Sequence, residues 1–260
     1  MRGRVVCACF GVLAWLGGVA AAAPPAAAAR IVHHPRVAAR APGGHNHPAS
    51  LGWASSNWSG YAVTGAGITQ VTGSWTVPSV SPSRKATYSA SWVGIDGFNN
   101  SSLIQTGTEQ DFYQGSAHYT AWWEILPAAE TVIPAITVSP GDHFSATITR
   151  AAGSTWTITL RDGSTGQSFT TSQTYTGPET SAEWIQEAPT VGGRIAPLAD
   201  YGSMTFDPGT VNGADPGLTS TDGGVMVQRN GQVSTPSNPD SDTDGFAAAY
   251  GSTQPSPPAS

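Results

Sequence analysis

HFSATITR, residues 143–150, and TWTITL, residues 155–160, decide the fold. In the first, Phe144, Ala146 and Ile148 alternate with more polar neighbours; in the second, Trp156, Ile158 and Leu160 alternate with threonines. A period of two puts every apolar side chain on one face of a strand. Short runs of this kind recur from residue 51 onward, and no stretch keeps a helical period for three or four turns. D-G at 162–163 and N-G at 230–231 are turn dipeptides of the hairpin type. Sheets with one apolar face bury it against each other, which predicts an all-β chain folded as a two-sheet antiparallel β-sandwich rather than a barrel. There is no internal repeat.

Composition narrows the class. Of the 260 residues, charged ones make up 11%, against a usual value of about 25%. Glycine (31) and proline (20) are plentiful, as expected of a turn-rich exported β protein, and nine tryptophans argue for a packed core over disorder. Residues 1–50 hold Arg2, Arg4, Arg30, Arg36 and Arg40 and no acid, so all 17 acidic residues lie beyond residue 50. Lys85 is the only lysine. Phosphate binding needs clustered lysine and arginine, so nucleic acid is excluded as a partner.

The first residues read as a secretory signal: MRGR is basic, VVCACFGVLAWLGGVA is apolar but short of the ~20 residues of a span, and alanines follow as cleavage sites. Residues 1–29 are therefore expected to be a signal peptide, and the product secreted, extracellular and free of the membrane. Both cysteines, Cys7 and Cys9, lie in that signal, leaving the mature chain without disulfide, thiol nucleophile or cysteine metal site. Residues 30–50, with three arginines and His33, His34, His45 and His47, are expected to be a linker or a propeptide. In the second case a cationic segment lies on an acidic domain and gains charge as histidines protonate below ~6.5. Residues 51–251 form the domain, and residues 252–260 (ending QPSPPAS) a frayed tail.

Several kinds of chemistry drop out. There is neither a G-x-S-x-G elbow nor an H-E-x-x-H motif, and beyond residue 50 only His118 and His143 could serve as imidazole bases. DSDTDG (240–245) imitates the start of a calcium loop, but its twelfth position is Gly251 instead of a bidentate glutamate, which favours a polar turn. No metal or other cofactor is expected.

Carboxylates and amides among aromatics remain. In HYTAWWEILP (118–127) a strand puts Trp122, Glu124 and Leu126 on one face and Trp123 and Ile125 on the other. An acid in such company is costly unless it faces a cleft or is hydrogen-bonded. In SAEWIQEA (181–188), Glu183 and Glu187 share a face but lie about 13 Å apart at ~3.3 Å per residue, too far to share a proton. A catalytic partner for either must come from another strand; Glu124, Asp96 of GIDG and Gln105 of LIQTG are the candidates.

SNWSGY (56–61), SWVGIDG (91–97), LIQTGTEQ (103–110), AWWE (121–124) and AEWIQEAP (182–189) occur in an order and spacing that resemble the glutamic peptidases, family G1 or eqolisins. Five motifs across residues 54–251 make the resemblance specific. It implies a sandwich of the lectin/glucanase jelly-roll type, secretion, and acid proteolysis by a Gln–Glu dyad. Motif by motif, the dyad falls on Gln105 and Glu187, with Glu183 as the fallback and otherwise a supporting or surface acid. Trp58, Asp96 and Glu124 map to substrate-binding positions and Glu109 matches more loosely. Leu126 stands where an aromatic is expected, and the fungal members' disulfides are absent, as in a bacterial-type member.

The implied mechanism has Glu187 as general base on a water and then as acid to the leaving amine. Gln105 donates its amide N–H to the oxyanion, a contribution of roughly 2.7–4 kcal/mol. Glutamine does not titrate and a glutamate ordinarily does so near ~4.3, which points to activity in acid. Proteins or peptides are the expected substrates and a monomer the expected state. The rival readings are a glycosidase using Glu124 and Glu187, with carboxylates about 5–5.5 Å apart if retaining, and a carbohydrate-binding module built on the tryptophans alone.

Overall fold

In the computed structural model, which describes residues 3, 30–39, 51–229 and 231–260, the alternation reads through directly. Phe144, Ala146, Ile148, Trp156, Ile158 and Leu160 are all buried. The strands are β1 (Ile31–Val32), β2 (Trp53–Ser55), β3 (Trp58–Thr64), β4 (Gln70–Thr76), β5 (Ala90–Ile95) and β6 (Ile104–Tyr113). Next come β7 (Ser116–Ile125), β8 (Thr131–Val132), β9 (His143–Ala152), β10 (Thr155–Asp162), β11 (Ser168–Thr174) and β12 (Ser181–Glu187). The last are β13 (Thr190–Val191), β14 (Arg194–Ile195), β15 (Ser203–Val211), β16 (Gly223–Gln228), β17 (Gly231–Pro236) and β18 (Phe246–Tyr250). A 3-10 turn at Ser220–Asp222 is the sole helical element among the described residues.

Hydrogen bonding runs in one path, β11-β10-β9-β4-β15-β18-β17-β16-β3-β12-β5-β6-β7-β8, and every neighbouring pair on it is antiparallel. The path doubles over, so that β4 and β9 pack on β5 and β6, and β15 on β12. The result is the expected all-β sandwich, whose two layers are continuous through β16 and β17. Trp184 of β12 shows how closely they fit. Its indole enters the opposite layer, donates to the Thr72 carbonyl at 2.8 Å, and occupies space that a Cβ on Gly73 or Gly209 would take. Truncating such a buried tryptophan costs about 3–5 kcal/mol.

Two boundary expectations change. Residues 30–39 are not a solvated linker: β1 pairs antiparallel with β13, Arg36 N–H donates to the Gly97 carbonyl at 3.0 Å, and His33 is wholly buried. The tail is not frayed either, because Gln254 donates to the Pro236 carbonyl and Ser260 bonds Ser241. Apart from Gly3, the proposed signal peptide lies outside the described residues, as do His45 and His47. Among the described residues no helix is long and apolar enough to cross a membrane.

Candidate active site

β12 runs between β3 and β5, with Glu187 opposite Trp58 on one side and Ala90 on the other. Its alternation divides the strand. Trp184 joins the main core, while Ile185 packs with Trp58, Ala90, Trp92, Leu103 and Trp122 in a second cluster on the outer face of that layer. The partition of β7 is also as read from the sequence: Trp122 and Leu126 belong to the outer cluster, Trp123 and Ile125 to the main core. β6 then brings Glu109 opposite Ala90, so that Glu187, Ala90 and Glu109 form one row. Four residues away along β6, Gln105 lies opposite Gly94 and Glu124. An even offset keeps both rows on one face.

The side chains on this face are interlocked. Gln105 Nε2 donates to Glu124 Oε2 at 2.8 Å, and Trp92 Nε1 donates to Glu187 Oε2 at 2.8 Å. The Trp58 and Trp92 rings meet edge to face, 4.9 Å apart, beneath them. Gln105, Glu109, Glu124 and Glu187 are all buried. Gln105 Oε1 and Glu124 Oε1 have no partner, so polar capacity remains that a bound ligand could use.

The segment Arg30–Ala39 fills this cleft. The His33 imidazole stacks on Trp122 at 3.7 Å between ring centres, nearly parallel. Its Nδ1 lies 3.0 Å from Glu187 Oε2 and its Nε2 lies 2.9 Å from Glu109 Oε1, with Glu130 at 3.4 Å. The His33 backbone N–H donates to Glu124 Oε2 at 3.1 Å and that of His34 to Glu187 Oε1 at 3.3 Å. A neutral imidazole carries one N–H, so two carboxylates on its two nitrogens call for the imidazolium. Burial alone would depress the pKa of His33, but the charge of Glu187 and the bonds to Glu109, Glu130 and Glu187 outweigh it and hold the group well above its usual value. Burial pushes Glu109 up to about 7 against the opposing pull of His33, and pushes Glu124 up to about 8. Past the imidazole, Arg36 lies over Phe98 and borders a cavity of about 600 Å³ lined also by Trp53, Leu51 and Ala62.

Gln105, Glu187, Glu124 and Glu109 therefore come together, and Trp58 sits in the aromatic floor. Asp96 does not join them. It has φ +71° and accepts from Tyr175 Oη at 2.6 Å, Glu179 N at 3.0 Å, Thr180 N at 2.9 Å and Asn100 Nδ2 at 3.2 Å. Both its oxygens are committed to tying loop 96–100 to the chain before β12, which leaves none for substrate. Glu183 is no surface acid: it is fully buried with both oxygens unpartnered, and burial raises its pKa well above the usual range. His118 stacks on Tyr113, and His143 bonds Thr76, both away from the dyad candidates.

Sequence reasoning missed His33, Trp92 and Glu130 as cleft residues. Trp92 stood inside the quoted SWVGIDG motif, but nothing there marks its indole N–H as a bond to an acid 95 residues away. His33, Glu109 and Glu130 also converge closely enough to suggest a metal, but here the imidazole acts as a donor, and an ion pair accounts for the set.

The model of the Peptidase A4 family matches residues 56–246. Aspergillopepsin-2 of Aspergillus niger is 34% identical over 208 residues, which span 70% of this chain and 73% of that protein. Scytalidopepsin B of Scytalidium lignicola is 34% identical over 137 residues, 51% of each chain. Among solved structures, scytalido-glutamic peptidase with a transition state analog inhibitor matches with a TM-score of 0.66 and 25% identity, over 75% of this chain and 98% of that one.

Proposed function

The chain belongs to the Peptidase A4 family and is a glutamic-type endopeptidase of the eqolisin group acting on proteins or peptides, and we propose that Gln105 and Glu187 are its catalytic dyad. The observation that carries the assignment is the occupant of the cleft. A stretch of peptide lies across it with consecutive backbone N–H groups on Glu124 Oε2 and Glu187 Oε1. Membership of a peptidase family does not favour the glycosidase or the binding module.

In this reading Glu187 takes a proton from a water that attacks the scissile carbonyl, then returns it to the leaving amine. The Trp92 indole fixes one oxygen of Glu187 and leaves the other to face the peptide. Glu124 holds the Gln105 amide, so the N–H that meets the developing oxyanion is oriented before substrate arrives. With its pKa pushed up to about 8, Glu124 is neutral in acid and serves as a hydrogen-bonding anchor. Acid proteolysis, export directed by residues 1–29, and a monomeric extracellular product belong to the same proposal.

Residues 30–39 belong in this proposal to an inhibitory pro-segment. The charge on His33 that supports its docking is fully present below the free imidazole value and is lost as pH rises through the raised value it has in the cleft. Acid weakens the contact from the other side, because Glu109 takes up a proton below about 7 and stops being a counter-charge. Finding residues 30–50 intact on the fully active enzyme overturns this part.

The dyad is tested by hydrolysis of a denatured protein at low pH, in the presence of an aspartic-protease inhibitor. Glu187→Gln is expected to abolish turnover, and Gln105→Ala to lower kcat by about 10²–10³, with the fold intact by circular dichroism. Near wild-type hydrolysis by either folded variant refutes the assignment.

A further inference from the structure

The turn DSDTDG joins β17 to β18, in the layer away from the cleft. There Asp240 and Asp244 meet Asp207 of β15, and one oxygen of each lies within 4.8 Å of the others. Asp240 is 6% exposed. Its Oδ1 accepts the backbone N–H groups of Asp244 and Gly245, each at 3.2 Å, which fixes the carboxylate in place. Its Oδ2 is buried without a partner, as is Oδ1 of Asp244. Gly245 lets these groups converge: a Cβ there would collide with Asp240 Oδ2 and fall 2.8 Å from Asp207 Cβ.

We propose that Asp207, Asp240 and Asp244 form a calcium site. The donor set is all oxygen and all carboxylate, which suits a hard divalent cation and neither zinc nor copper, since nitrogen and sulfur are lacking. Among the described residues no lysine or arginine pairs with these acids, and Asp242 adds a further negative charge close by. The local pattern D-x-D-x-D-G is that of the first half of a calcium loop. The absent glutamate at the twelfth position argues against an EF-hand but not against calcium, because Asp207 supplies an acid from another strand. Calcium takes six to eight oxygens and tolerates irregular geometry, so waters complete the shell; magnesium demands a closer octahedron. An ion here would clamp the β17–β18 connection to β15, so the site is one for stability and not for the reaction.

The test uses the secreted protein, stripped with EDTA and exchanged into calcium-free buffer at pH 7. Isothermal titration with CaCl2 is expected to give one site per chain, and millimolar calcium to raise Tm by several degrees, with magnesium giving a smaller shift. Asp244→Asn, at a half-buried position, should weaken calcium binding at least tenfold and Asp240→Asn should abolish the Tm shift. Absence of both heat and Tm shift in the wild type overturns the proposal, and so does undiminished binding by Asp244→Asn. If Asp240→Asn fails to fold, the wild-type titration and the Asp244→Asn comparison still decide.

Discussion

The two layers each gather carboxylates into a cluster, and they differ in what answers the charge. On the outer face of one layer, Glu109 and Glu187 enclose His33, a cation delivered by the chain itself. In the other, Asp207, Asp240 and Asp244 converge with no basic side chain of the described residues among them. In the proposed function the first arrangement is removable, because its cation sits on a segment that precedes the domain and leaves with the pro-segment. The second is built into the turn and can be answered only by protonation or by an ion from solution. The same residue type thus makes a replaceable contact in one place and a fixed one in the other.

Removing the cation of the first cluster should have the largest effect. His33→Ala deletes one member of a buried charge pair, a change worth about 2–5 kcal/mol in docked complexes. The unprocessed protein should then hydrolyse a reporter peptide at least roughly tenfold faster than the unprocessed wild type. Equal rates would mean that the segment does not gate the cleft.

A smaller effect is expected from Trp92→Phe, which keeps the ring packing on Trp58 and deletes the N–H held by Glu187. A hydrogen bond to a charged group contributes about 1.5–3 kcal/mol, so kcat should drop on the order of tenfold. Little change in KM should accompany it; a loss confined to KM would assign the indole to substrate contact instead.

The smallest change concerns stability against pH. Burial raises Glu124 from 4.5 to about 8, so between those values the native form holds a proton that the unfolded chain has released. Stability must then fall as pH rises through that window, and Glu183 and Asp111, also raised mainly by burial, act in the same sense. Glu124→Gln mimics the protonated acid and should flatten the decline of Tm between pH 5 and 8 by a few degrees, on a scale of about 2–4 °C per kcal/mol. An unchanged slope would show that the other buried acids set it.

Much of the fold was legible because period-two alternation survives intact in β7, β9, β10 and β12, where each strand has one face in a core. The dyad candidates were legible because they fall within short motifs. What escaped depends on pairing between distant positions. His33 meets Glu187 across 154 residues, and nothing in RIVHH states that one histidine will lie between two acids. Asp96 misled because an acid flanked by glycines looks available, whereas its positive φ and its bonds to Tyr175, Glu179 and Thr180 show it spent on a loop. In DSDTDG, too, the decisive neighbour is distant: Asp207, which meets Asp240 and Asp244, stands on β15 and not along the loop.

The pairing of Ile31 and Val32 with Val191 and Thr190 carries a consequence for the proposed mature enzyme. If the segment leaves as proposed, β13 keeps β14 on one side and has an open row of amides and carbonyls on the other. Any extended chain can meet that row through its own main chain, whatever its side chains. Recognition at this rail would be blind to sequence but not to shape: it admits polypeptide that has already lost its tertiary structure and rejects helices and intact domains. Under the proposed acid proteolysis, such an enzyme would act on what its medium has already unfolded.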